Sequence, residues 1–248
     1  IPFSFNIRLV AFGFFAAFFS SFGQTFFIAL SSANIRSTFE LSHGDFGLIY
    51  SSATLTSAGL LIWAGRKIDD MDLRYYTTFV CFGLSLACLG MAGVNNSIWL
   101  FVVIFGLRFM GQGLLGHISS VSMARYFDQH RGKALSIASM GYPLGEAILP
   151  SIAVALIASY GWRQMWASIG IILLIILVPL MLYLLRGHNG LFLFHKKDKK
   201  ITTKKRKLND WTRKQVLKDF RFYASLPSFL ATSFIFTGLF FHQIHLID

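Results

Sequence analysis

Hydrophobic positions in this chain come in long unbroken runs, without the alternation of a half-buried strand or the stripes of a water-facing helix. Seven runs stand out: Leu9–Leu30, Phe46–Ala64, Tyr75–Val94, Ile98–Ile118, Ala134–Tyr160, Met165–Leu185 and Phe222–Ile247. Each approaches or exceeds the ~18–20 residues that a helix rising ~1.5 Å per residue needs to cross ~30 Å of hydrocarbon. A chain in lipid must satisfy its backbone amides within the segment, so runs of this length predict membrane helices and not barrel strands. The first five connections are short, and the sixth is long and basic. The expected fold class is an all-α membrane protein.

Composition agrees. The chain is 54% hydrophobic and only 14% charged, with 27 Phe and a mean hydropathy of +0.58. A soluble domain carries about 25% charged residues, so these charges are too few to clothe a water-facing surface, and a soluble enzyme is excluded. The chain opens on Ile1 rather than Met and closes on Asp248 after an apolar run, which suggests a fragment cut at both ends. The first run is too long for a cleavable signal peptide. Cys81 and Cys88, seven apart in one run, share a helix face and read as small core residues.

The formal charge of +12 invites a nucleic-acid reading. Its distribution argues otherwise. With the N-terminus placed inside, every one of the 23 basic residues except Arg36, Arg108 and Arg163 falls on the inner side. The bias survives without the long loop, since Arg8, Arg66, Lys67, Arg74, Arg125, Arg131 and Lys133 still outnumber Arg36 and Arg163. This predicts a cytoplasmic N-terminus in a plasma or inner cell membrane. KKDKKITTKKRK, Lys196–Lys207, then reads as a topology-fixing loop that touches anionic lipid, and no nucleic-acid partner is expected. After it, Asp210 is placed to cap a short amphipathic helix, Trp211–Phe220.

Four signatures, in order and on the expected sides, resemble those of the major facilitator superfamily. GRKIDDMDLR, Gly65–Arg74, is similar to the family's loop between helices two and three: Gly65, Asp69 and Arg74 match, while Asp70 and Asp72 depart from it. RFMGQG, Arg108–Gly113, resembles the Arg-plus-Gly pattern of helix four. RYFDQHRGKALSIASMGYPLGEAILP, Arg125–Pro150, with its Arg131-Gly132 step and Gly141-x-Pro143-x-Gly145, resembles the monocarboxylate and oxalate–formate branch. GWR, Gly161–Arg163, closes the outer turn before span six. The resemblance implies twelve helices in two halves that rock about a midplane site. Residues 1–186 would be the first six-helix bundle, 187–221 a basic cytoplasmic loop, and 222–248 the seventh helix, with the remaining C-terminal helices as its partners. Gly23-Gln24 in span one and Gly111-Gln112 in span four are a possible trace of inverted repeats, on opposite sides of the midplane.

A charge at bilayer mid-depth costs at least ~2.5–3.5 kcal/mol on insertion scales, so intramembrane polar residues are the candidates. Arg108 and Glu146 both fall near mid-depth and are expected to face each other or share a cavity. As functional groups they are an anion contact and a protonatable coupling group; as structural ones, an ion pair between helices four and five. Gln24 and Gln112 are further cavity candidates, and Ser20 and Ser21 read as interhelical glue. Gly141 and Gly145 allow close packing, and Pro143 between them offers a bend point. Gly65, Asp69, Arg74 and Arg131 brace the inner gate. His242, His245 and Asp248 read as an outer polar cluster, His242 being a substrate or proton contact, rather than as a metal site. His117 reads as a packing histidine. No phosphate-binding loop, catalytic constellation or cofactor motif occurs.

The expected function is secondary transport of a small organic solute, tilted towards an organic anion, by uniport, proton symport or antiport. A non-transporting sensor or scaffold on the same fold, or a truncated non-functional fragment, is the alternative.

Overall fold

The computed structural model describes residues 6–68, 71–127, 130–186 and 213–242, and all regular structure among them is helical. The chain divides into two compact units, Ile1–Arg186 and Gly187–Asp248. Among the described residues seven helices are long and apolar enough to cross a membrane. Six belong to the first unit: Ile7–Ala29, His43–Lys67, Leu73–Ala92, Ser97–Tyr126, Arg131–Tyr160 and Trp162–Leu184. The second unit holds the seventh, Phe220–His242.

Polar caps explain why the helices outrun their apolar cores. Span two begins in a capping box, in which the Asp45 amide donates to Ser42 Oγ and the Ser42 amide to Asp45 Oδ2, both at 3.1 Å. Asp72 opens span three by accepting from the Arg74 amide at 2.9 Å, and Asn96 opens span four by accepting from the Trp99 amide at 2.8 Å. Span four also continues well past Ile118, because Ser119, Ser122 and Met123 are buried against its neighbours.

Four of the first six spans are irregular, and each irregularity has a local cause or partner. Span one stops being α-helical at Phe19, tightens into a 3-10 turn at Ser20–Gly23, and passes through extended Gln24 (φ −85°, ψ 158°) before resuming. Span four widens into a π-helix over Leu107–Leu115. Span five divides at Met140, between Arg131–Ser139 and Gly141–Tyr160. Pro143 has no amide to give the Ser139 carbonyl four residues back, and its ring crowds that carbonyl. Span six has a π segment at Leu173–Leu177, where Pro179 imposes the same condition on Ile175.

Small residues bring the helices of the first unit together, as expected where lipid supplies no hydrophobic drive between them. Gly13 of span one sits under Met123, and its carbonyl accepts from Ser119 Oγ at 2.7 Å. Gly170 of span six packs on Leu89 of span three. Trp166, fully buried, meets Phe27 edge-on at 5.4 Å and donates to Ser31 Oγ at 3.1 Å. The outward faces are also apolar, for example Ile148 and Ile152 on span five and Ile171 and Ile175 on span six. Water would not tolerate both faces, but a bilayer does.

The GWR turn is a clamp. Gly161, at φ 86°, takes a conformation that suits glycine. Arg163 Nη1 donates to the carbonyls of Ala92 at 2.8 Å and Val94 at 2.7 Å, and its guanidinium lies 4.4 Å from the Trp162 ring centroid. It thereby ties the end of span three to the start of span six.

In the second unit the expected amphipathic helix, Trp211–Phe220, ends before Phe220. A four-residue helix, Arg213–Val216, ends in a turn, and Phe220 already belongs to span seven. Asp219 makes the division by accepting from the Arg221 amide at 2.8 Å, as a cap for the new helix. Asp210, Trp211 and the basic Lys196–Lys207 stretch lie outside the described residues.

Candidate functional site

The site grows from the break in span one. A helix that stops at Phe19 and restarts at Thr25 leaves carbonyls without their usual intrahelical partner. In hydrocarbon, something else must satisfy them. At Gly23 that partner is Arg108 from span four, whose Nη1 donates to the Gly23 carbonyl at 3.4 Å and to Thr25 Oγ1 at 3.2 Å.

Backbone contact allows this reach. A Cβ on Gly23 would collide with the carbonyl of Leu107 and stand 2.6 Å from the Gln112 amide. A Cβ on Gly111 would stand 2.8 Å from the Gly23 Cα. The two Gly-Gln pairs therefore sit on each other, not on opposite sides of the midplane. The displacement follows from the true length of span four: at 30 residues, it places Gly111 near its middle.

Tyr50 of span two completes the cluster. Its hydroxyl donates to Thr25 Oγ1 at 2.8 Å, and Arg108 Cζ lies 5.3 Å from its ring centroid. Arg108 is 9% exposed and Tyr50 6%. Hydrogen bonds to a charged group contribute about 1.5–3 kcal/mol each. Two of them offset an insertion penalty of ~2.5–3.5 kcal/mol. The charge itself remains, because Arg108 meets no carboxylate among the described residues.

Glu146 in particular is not its partner. It is exposed on span five, while the Arg108 contacts lie on spans one and two. The ion pair between helices four and five is replaced by a guanidinium held on backbone and hydroxyl oxygens. Gln24 is half-buried in the extended residue of the break, and Gln112 is exposed beside the crossing. Ser20 and Ser21 do not bond across helices as expected: Ser20 Oγ donates back to Ala17 at 2.7 Å, and buried Ser21 Oγ has no partner among the described residues.

Gly141 and Gly145 pack on span one. A Cβ on Gly141 would meet the Phe14 carbonyl, and one on Gly145 the Ser21 hydroxyl. Pro143, two residues from each glycine, is exposed on the opposite face and lies just past the division of span five at Met140.

At the basic end of the bundle, the Gly65 carbonyl lies 3.2 Å from His117 Nε2, which gives His117 its packing role. Ala58, Leu61, Ile62, Gly65, Arg66 and His117 line a cleft of about 410 Å³ there. Arg125 Nη1 donates to the Ile68 carbonyl at 3.1 Å, Arg74 pairs with Asp72 at 3.3 Å, and Arg131 is exposed at the start of span five. Asp69 lies outside the described residues, as do His245 and Asp248; for His242 only the backbone helix is described. Among the described residues no three His, Cys, Asp or Glu side chains could hold a metal.

Thr25 and Tyr50 are the residues that the sequence reading passed over. The available signal was Gly23-Gln24-Thr25, three consecutive non-aliphatic residues in mid-span. Nothing linear connects them to Tyr50.

The profile of the Major Facilitator Superfamily matches residues 13–246. The uncharacterized MFS-type transporter YcxA of Bacillus subtilis is 24% identical over 178 residues, which are 64% of this chain and 42% of that protein. Membrane sensor protein UhpC of Salmonella typhimurium is 23% identical over 128 residues, 50% of this chain and 28% of that protein. UhpC of Escherichia coli is 24% identical over the same shares. The chain thus spans less than half the length of these relatives, and no solved structure matches it. A profile match that enters in span one and leaves after span seven agrees with six membrane-length helices in one unit and a seventh in the next: this chain belongs to the major facilitator superfamily.

Proposed function

We propose that the full-length protein is a secondary active transporter that moves a small organic anion across the cell membrane by alternating access. The superfamily is one of transporters and not of enzymes. The observation that carries the anion is Arg108, buried at mid-span with its charge unmatched by any carboxylate among the described residues. Residues 1–186 serve as the first half, 187–221 as the inner loop, and 222–248 as the start of a second half that completes the cavity. The distribution of Lys and Arg supports an N-terminus on the cytoplasmic side. Gln24, Gln112 and His242 contribute polar contacts to the solute. Gly65, Asp69, Arg74 and Arg131 act at the inner gate, and Pro143, between Gly141 and Gly145, lets span five bend. Glu146, the lone carboxylate beyond the first turn of a span in the first unit, is the proton-coupling group.

Full-length protein in proteoliposomes should take up radiolabelled lactate, succinate or benzoate, faster when the outside is acid. Glu146→Gln should remove the response to the proton gradient while leaving exchange of solute across the membrane intact. A response that persists in Glu146→Gln removes that residue from coupling.

The similarity to two proteins named as membrane sensors favours a second reading, in which the full-length protein reports a solute without moving it. Solute binding without uptake at any gradient would select that reading.

A further inference from the structure

We infer that Thr25 and Tyr50 are positioning residues, which hold Arg108 so that its Nε–Nη2 edge faces a carboxylate group of the transported solute. The inference rests on the transport reading above and narrows its substrate class to carboxylates held side-on.

A guanidinium offers five N–H donors in a rigid plane. Nη1 donates to both the Gly23 carbonyl and Thr25 Oγ1. Nη1 lies on the Cδ side of the guanidinium. What remains is the opposite edge, the Nε–H and the two N–H of Nη2. Those nitrogens take no hydrogen bond among the described residues, nor do they belong to the sealed polar atoms left without a partner. The free edge is therefore unpaired and not completely sealed by packed atoms. A parallel Nε–H and Nη2–H pair matches the two oxygens of a carboxylate in spacing and direction.

The orientation of that edge is fixed by a short chain of contacts. Thr25 Oγ1 accepts twice, from Arg108 Nη1 at 3.2 Å and from the Tyr50 hydroxyl at 2.8 Å, which uses both of its lone pairs. The Tyr50 ring stands 5.3 Å from Cζ and restricts the guanidinium from one side. Without these two residues the Gly23 carbonyl alone would hold Nη1, and the plane could turn about that bond. Gln24 and Gln112, whose side chains have no hydrogen-bond partner among the described residues, flank the same crossing and suit further oxygens on the solute.

The test is uptake kinetics of full-length protein in proteoliposomes, with lactate, succinate and benzoate set against the neutral lactamide. Arg108→Lys keeps the charge but loses the planar edge, and should raise KM for carboxylates about tenfold or more. Thr25→Val and Tyr50→Phe should each raise that KM by about three- to tenfold with Vmax little changed, while Thr25→Ser restores the wild-type value. In an Arg108→Lys background neither change should add anything, because there is no plane left to orient. Equal effects on lactamide, or effects that simply multiply in the double variants, would make Thr25 and Tyr50 packing residues and overturn the inference. So would an Arg108→Lys variant with lower Vmax and unchanged KM, the result expected if a carboxylate of the second half occupies the edge. Wild-type uptake of lactamide without uptake of any carboxylate overturns the inference and the organic-anion assignment, and leaves secondary transport itself standing. No uptake of any solute defeats the transport reading, and the carboxylate site is then judged by binding. Succinate should raise the unfolding temperature of the wild type and not of Arg108→Lys; no rise in either overturns it.

Discussion

At Gly23 a single added methyl group would run into the backbone of span four, and at Gly111 it would run into the backbone of span one. Neither obstacle can rotate away as a side chain would. Gly23→Ala should therefore lower stability by at least the ~1–3 kcal/mol typical of overpacking, read as a fall in the unfolding midpoint in detergent. Gly47, with nothing within 4 Å of its position for a Cβ, is the control, and Gly47→Ala should leave the midpoint unchanged or slightly raised. Arg163 makes a different residue-scale prediction. Arg163→Met keeps the apolar stem but removes the donors to Ala92 and Val94, and should cost about 1–3 kcal/mol in the same measurement. The Gly-Gln pairs and the GWR turn were visible in the sequence as motifs. That the two Gly-Gln pairs meet, and that Thr25 and Tyr50 belong with Arg108, depends on contacts from 25 residues apart in the chain, as for Tyr50 and Thr25, to more than 85, as for Gly23 and Gln112.

Helices one, four, five and six depart from regularity, and the causes divide into two kinds. Pro143 and Pro179 are local causes that any reading of the chain can find. The break at Ser20–Gly23 is different, since span one contains no proline and its composition alone argues for a continuous helix. The break persists because Arg108 and the Gly23–Gly111 contact accommodate it from outside. Hydrogen exchange should separate the two kinds. In Pro143→Ala the restored amide can donate to Ser139, so protection should rise at residues 140–144. Arg108→Met should lower protection around Gln24, where the carbonyl loses its guanidinium. Unchanged exchange at Gln24 in Arg108→Met would show that the break holds itself.

Across the first unit, the basic residues other than mid-span Arg108 gather at one end of the bundle, with Arg36 and Arg163 at the other. The N-terminus-inside orientation can be tested without removing Cys81 or Cys88, because both are fully buried. A membrane-impermeant maleimide added to intact cells should label Asn95→Cys, and should label Lys133→Cys only after the membrane is opened. The reverse pattern would invert the topology. Mean hydropathy and run length made the membrane class legible, because crossing hydrocarbon is a requirement on each segment separately. Helix ends were less legible, since caps such as Ser42–Asp45 and Asn96 lie beyond the apolar runs.

The sequence by itself determined the number of spans, their helical character and the family. Each of these rests on local quantities: length, apolarity, turn chemistry and motif order. The tertiary structure decided which polar groups share a site. Arg108 and Glu146 looked like partners because both are charged at similar depth, but depth along a span says nothing about the face on which a side chain lies. Arg108 instead meets a carbonyl exposed by a helix break, a threonine and a tyrosine. A backbone carbonyl has no signature in a sequence, and this one became a partner only when two glycines let two helices touch.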